Sequence, residues 1–294
     1  MLGRDSSGVA ILGPAVAGSW YPATREALEG QLDELFRAGG GAESGSGADA
    51  AALIAPHAGF TYSGVVAAQG FRHVQSRGRD RVVLLGPSHH EAFEGAVAPR
   101  AETYRTPLGD IPIDTEAVEG LRVLERMRVS DEPFRREHSL EAELPFLQRR
   151  LRPGWRLLPL LVGRLEAREN ARRLADALRP LLGPRTLVVV SSDFTHYGPR
   201  FDYLPFLSDV AARIRDLDMQ AIDLIVGGDA PGFERFLART HATICGQNPI
   251  RVLLELLPEG LEAELASYDT SGRITGEWGH SVSYASLVFR GAAA

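Results

Sequence analysis

The sequence predicts an α/β fold: a single domain whose central sheet, largely parallel or mixed, is flanked by helices on both faces. Three observations carry this. Short apolar runs alternate with longer amphipathic stretches along the 294 residues. The runs are nearly unbroken in Val, Leu, Ile and Ala, as strands buried on both faces require. No internal repeat or late linker divides the chain, whose length suits one large α/β domain.

In chain order, a helix over residues 24–37 leads into a Gly/Ser-rich segment, 39–47, read as a flexible surface loop. Strands follow over 52–55, 82–85, 157–162, 187–190 and 281–288, each a β-prone apolar run. Helical periodicity covers 64–75, 115–125, 139–151, 167–182, 207–226, 231–240 and 249–257. Residues 9–17 resemble a signal-peptide core, but Gly13 and Pro14 interrupt it and Asp5 offsets Arg4, so the cytoplasm is the expected compartment. No apolar run is long enough to span a bilayer, and no membrane role is expected.

Composition removes whole classes of chemistry. All 32 basic residues are arginine, against 38 acids, for a net charge of −6. Without lysine there is no pyridoxal-phosphate Schiff base, no P-loop lysine and no kinase-type phosphate-pairing lysine. The acidic balance argues against a nucleic-acid partner. One cysteine, Cys245, cannot form an intrachain disulfide.

The chemistry collects after three strands. Residues 52–55 run into Pro56-His57-Ala58-Gly59, 82–85 into Gly86-Pro87-Ser88-His89-His90, and 187–190 into Ser191-Ser192-Asp193-Phe194-Thr195-His196. Ligands of open α/β sheets bind beyond the carboxyl ends of the strands. A lone histidine is more often a surface or satisfied core residue. Three strand ends carrying one each suggest imidazoles converging on a metal or a substrate. Cys245 precedes a helix for which Asn248 reads as N-cap, so the helix dipole is expected to favour its thiolate. A small buried thiol is the competing reading.

The segments Pro14-Ala15-Val16-Ala17-Gly18-Ser19-Trp20-Tyr21-Pro22, Ala55-Pro56-His57-Ala58-Gly59-Phe60-Thr61-Tyr62-Ser63-Gly64 and Leu85-Gly86-Pro87-Ser88-His89-His90 resemble the Memo family. So do Tyr104-Arg105-Thr106-Pro107-Leu108-Gly109, Glu137-His138-Ser139-Leu140-Glu141, the turn from Ser191 to Gly198, and Ile244-Cys245-Gly246. Bacterial and archaeal members are called AmmeMemoRadiSam system protein B. Phe60, where the family often has tyrosine, is a mild departure.

The resemblance implies a fold like that of the class III extradiol, LigB-type dioxygenases, which use non-haem Fe(II). It implies His57, His89 and Cys245 as metal ligands, with Cys245 where those dioxygenases place a carboxylate. It implies His196 as catalytic acid/base, with Asp193 orienting it or touching the ion. His90, His138, Tyr62 and Trp20 belong to the same motifs and are expected in the substrate pocket or around the ligands. A thiolate softens the site, so Fe(II) is the favoured ion with copper or zinc also suited. The family name implies an AMMECR-type protein and a radical-SAM enzyme as partners.

Two other readings stay open: an accessory module that keeps the pocket without catalysis, and thiol chemistry at Cys245 without a metal. Around His138, Ser139 also reads as a helix start with acids in its first turn.

Overall fold

Four parallel strands, Ala50–Ala55, Thr186–Ser191, Arg81–Pro87 and Arg156–Val162, lie side by side in that order at the centre of the larger sheet. They belong to a computed structural model that describes residues 2–4, 8–39, 49–75, 78–258 and 260–291. Antiparallel strands extend the spine: Ser281–Arg290 beside Ala50–Ala55, and Ala96–Ala98 beside Arg156–Val162. Glu262–Thr270 and His196–Tyr197 pair with Ser281–Arg290, while Met127–Val129 pairs with Ala96–Ala98. A second sheet joins Leu2–Arg4, Ala10–Leu12, Thr103–Thr106 and Gly109–Pro112. The fold is therefore α/β with a mixed main sheet, parallel at its centre.

Register explains where function gathers. Ser191 sits opposite Ala55, and Val190 opposite Leu85, so Ala55, Ser191 and Gly86 end level along one edge. The turns carrying His57, Asp193 and His89 consequently leave the sheet together. Gly86 is required there: a Cβ would lie 2.6 Å from Leu140 Cδ2 and 2.9 Å from Ser139 Oγ.

Two groups of helices pack on this sheet. Arg25–Ala38, Phe60–Phe71 and Leu144–Arg150 meet around Phe146, whose ring lies 4.8 Å from Phe60 and 5.3 Å from Phe71. Arg168–Leu178, Val210–Val226, Ala230–Thr240 and Gln247–Leu256 form the other group, the last of them against Arg81–Pro87 and Thr186–Ser191. Their patterning is that of amphipathic helices: Arg168–Leu178 buries Ala171, Leu174, Ala175 and Leu178. Burying one such leucine contributes about 1.5–3 kcal/mol.

Some boundaries differ from the sequence expectation, each for a tertiary reason. The helix expected over 64–75 is Phe60–Phe71, because Phe60 N–H donates 3.0 Å to Trp20 O, a distant acceptor no local pattern reveals. The helix expected over 139–151 is split into a short 3₁₀ turn, Glu141–Glu143, and Leu144–Arg150. Ser139 caps nothing; its hydroxyl donates to Pro87 O at 2.7 Å. Apart from Gly39, the Gly/Ser segment lies outside the described residues. Among the described residues, no helix is long and apolar enough to cross a membrane.

Candidate metal centre

His57 is almost fully buried and is held at three points. Its backbone N–H donates to Asp193 Oδ1 at 2.9 Å, its Nδ1 lies 2.8 Å from Ser191 Oγ, and its Nε2 lies 3.3 Å from Cys245 Sγ. Burial holds this imidazole well below its ordinary pKa, and the neighbouring His89, His138 and His196 add to the effect. Neutral imidazole, the metal-ligating form, is thereby favoured.

His89 depends on Glu137. That carboxylate accepts the His89 backbone N–H at 2.5 Å through one oxygen and lies 2.9 Å from His89 Nδ1 through the other. Burial alone would raise the Glu137 pKa, but the His89 hydrogen bonds and charge prevail and push it down to about 2. An ionised Glu137 makes His89 Nδ1 the donor and leaves Nε2 with its lone pair.

His138 joins them. Its ring stacks on His89 at 4.5 Å between centroids, with 15° between planes, and meets Trp20 at 4.1 Å. Burial first, then the His89 charge, lowers its pKa to about 4. One nitrogen each of His57, His89 and His138 lies within 4.8 Å of the others, a grouping able to hold a metal ion. The sequence reading placed His138 among pocket residues; the structure brings it level with the two expected ligands. His90 is more remote, its ring 6.1 Å from that of His138.

Cys245 reaches the cluster through His57. The Asp193 N–H donates to its sulfur at 3.2 Å. The helix beyond begins at Gln247 with Gly246 as N-cap, not Asn248, and no side chain caps it. Gly246 allows the approach: a Cβ would fall 2.3 Å from Ser192 Cβ. The expected thiolate does not emerge from the protein alone. Burial, reinforced by the Asp193 carboxylate, pushes the thiol well above its ordinary pKa, outweighing the helix dipole. A cation in the pocket would reverse that balance.

His196 sits behind Asp193. Its Nδ1 is 2.9 Å from both Phe194 O and Thr243 O, and its backbone N–H donates to Thr243 Oγ1 at 2.9 Å. Two carbonyls can only accept, so Nδ1 carries the proton and Nε2 the lone pair. The ring is thus oriented by backbone carbonyls, while the Asp193 carboxylate holds the His57 backbone. Tyr62 stands exposed on the helix Phe60–Phe71, and Trp20 reaches the cluster through His138. A cleft of roughly 590 Å³ opens against Cys245, lined also by Ser88, Phe93, Arg164, Gln247 and Asn248.

Sequence reasoning missed Glu137, Ser191 and Thr243 as partners of the histidines, and Glu143 as the partner of Ser191. The available signal was three acids, Glu137, Glu141 and Glu143, in a stretch that also carries Leu140, Ala142 and Leu144; acids in apolar surroundings need partners.

Comparisons with known proteins identify the family. A family profile described as Memo-like protein matches residues 13–288. The "Protein memo-1 homolog" of Caenorhabditis elegans is 34% identical over 92% of this chain and 80% of its own length. A "MEMO1 family protein" of Methanosarcina mazei is 34% identical over 94% and 97%, and the "Protein MEMO1" of Danio rerio 34% over 92% and 94%. A solved structure of an uncharacterized Escherichia coli K12 protein aligns with a TM-score of 0.49 at 11% identity, over 80% of this chain and 98% of that one. Matched by the family profile over nearly its whole length, the chain belongs to the Memo family.

Proposed function

We propose that this protein binds a metal ion at His57 and His89, with Cys245 and His138 as the further donors, in a pocket of the non-haem-iron dioxygenase kind. The observation that carries the reading is the convergence of three imidazole nitrogens within 4.8 Å, with a thiol 3.3 Å from one of them. The donor set fits an ion: burial keeps His57 and His138 neutral, and Glu137 directs His89. Imidazoles with a thiolate suit Fe(II), the favoured ion, and also copper or zinc.

When bound, such an ion supplies Lewis acidity and, for iron or copper, a redox couple. The chain's own residues do the rest. Glu137 fixes one ligand, Asp193 fixes the backbone of another, and His196, whose Nδ1 is tied to backbone carbonyls, keeps Nε2 for taking a proton from a substrate. The activity proposed is that of a metal-dependent oxidoreductase component working with AMMECR-type and radical-SAM partners, an association taken from the family resemblance.

The test is metal content after anaerobic purification and reconstitution with Fe(II), Cu(I) or Zn(II). Stoichiometric metal is expected in the wild type and its loss in His57→Ala and His89→Ala. A wild-type protein that holds none of the three metals under reducing conditions would end this reading.

A further inference from the structure

Behind His57 lies a buried group that the metal reading does not use. Glu143 is fully buried, and among the described residues it forms no salt bridge and its Oε2 has no hydrogen-bond partner. Its Oε1 lies 2.7 Å from Ser191 Oγ. The same hydroxyl oxygen is 2.6 Å from Ser139 O and 2.8 Å from His57 Nδ1.

A serine hydroxyl has one proton and two lone pairs, so three contacts at these distances must divide as one donated and two accepted. Ser139 O is a carbonyl and only accepts. It is also the shortest contact, so the Ser191 proton goes there. The remaining neighbours must then donate: His57 through Nδ1–H, and Glu143 through a carboxylic O–H.

The orphan oxygen agrees independently. A buried carbonyl oxygen without a partner is tolerable, whereas one oxygen of an unpaired buried carboxylate costs far more. Burial, with the charge of Asp193 close by, acts in the same direction and raises the Glu143 pKa well above its ordinary value.

We propose that Ser191 is a positioning residue that commits His57 to the Nδ1–H tautomer, with the Nε2 lone pair facing the cluster, and that Glu143 stands behind it as a neutral acid donating its proton to Ser191 Oγ. The consequence for ion binding rests on the metal-centre reading; the tautomer and the protonated acid do not.

The experiment therefore begins with metal-free protein. In ¹⁵N NMR of imidazole-labelled protein, His57 is expected to carry its proton on Nδ1. Infrared difference spectra are expected to contain a protonated-carboxyl C=O band that Glu143→Gln removes. Ser191→Ala should leave His57 in a mixture of tautomers and, with Zn(II) as probe, weaken binding about 10–100-fold. Glu143→Gln, whose amide N–H donates in place of the acid, should keep both the tautomer and an affinity within about threefold of wild type.

An Nε2–H tautomer in the wild type, a missing carboxyl band, or a Glu143→Gln variant that loses Zn(II) binding tenfold or more would overturn the proposal. Wild-type protein that binds no metal yet shows the Nδ1–H tautomer and the band would sink only the metal-centre reading and uphold this one. If Ser191→Ala fails to fold, the wild-type and Glu143→Gln spectra decide the matter alone.

Discussion

Two polar assemblies lie on either side of one turn, residues 191–196. On one side Asp193 faces His57 and Cys245; on the other Thr195 faces Asp218, buried on the helix Val210–Val226. Asp218 accepts the Thr195 backbone N–H at 3.2 Å, the Thr195 hydroxyl at 2.6 Å and the Tyr268 hydroxyl at 2.7 Å. All its donors come from within the fold, and it pins the back of the turn. The Asp193 side gathers the neutral imidazoles of His57 and His138 and a protonated thiol, where a cation would improve the electrostatics. A polar group satisfied from within serves the scaffold, and one whose neighbours lack a charge they could share serves a ligand.

Removing Asp218 should break the comparison most visibly. Asp218→Ala leaves the buried Thr195 N–H and hydroxyl without this acceptor, at about 1–3 kcal/mol each, and the Tyr268 hydroxyl with only Ser283 Oγ at 3.4 Å, so a loss of about 3–5 kcal/mol is expected in urea denaturation. The folded fraction should still bind metal. His57→Ala should do the reverse, abolishing metal binding at a smaller cost in stability. If both substitutions hit stability and metal binding alike, the two assemblies are one unit.

Within these assemblies His138 and Asp218 respond to pH with opposite sign. The folded-state pKa of His138 is about 4, below the ordinary 6.5 of the unfolded chain. The unfolded state therefore binds this proton first, so stability is full above pH 6.5 and falls as pH drops toward 4. For metal-free protein the loss amounts to at most about 3 kcal/mol from this residue, and His57 acts in the same direction. Asp218 has a raised pKa because of burial, so the folded state takes up its proton first and gains stability as pH falls. Denaturation between pH 7 and 4 should give a slope that His138→Asn flattens and Asp218→Asn does not. A pH-independent midpoint would refute the assignment.

The strand-end histidines are legible in the sequence because each follows an apolar run directly, and parallel strands in register deliver such turns to one edge. The fold class follows from the same runs. Glu137 and Glu143 are not legible, since each finds its partner, His89 or Ser191, 48 residues away along the chain. Their segment reads as a helix start at Ser139, which accounts locally for Glu141 and Glu143 and so hides the distant partner of Glu143. Cys245 shows the other limit. Its place before a helix suggests a thiolate, yet burial and Asp193 decide the matter, and neither is visible before the chain is folded.

Glu137 sharpens the comparison from within the pocket. Its two oxygens meet two His89 nitrogens, so Glu137→Gln replaces one acceptor with an amide that faces a donor. Metal affinity in competition with a chelator should fall about 10–100-fold, or about 1.4–2.7 kcal/mol, as for other carboxylates behind a ligating histidine. An unchanged affinity would show that His89 is oriented by packing alone.

The smallest effect belongs to Glu141, which shares a seven-residue segment with Glu137 and Glu143 but behaves like Asp218. Its carboxylate accepts the backbone N–H groups of Ala15 at 2.6 Å and Val16 at 3.0 Å and the Tyr21 hydroxyl at 2.5 Å, tying the N-terminal segment to the fold. Tyr21→Phe removes one of three donors and leaves the other two in place, for a cost of about 1–2 kcal/mol in denaturation. Metal affinity should not change, because none of these groups touches a histidine. A Tyr21→Phe variant that binds metal more weakly would mean that the closed contacts of Glu141 reach the centre through their neighbours in the segment. The line between scaffold acids and ligand-supporting acids would then run through the segment as a whole and not between individual residues.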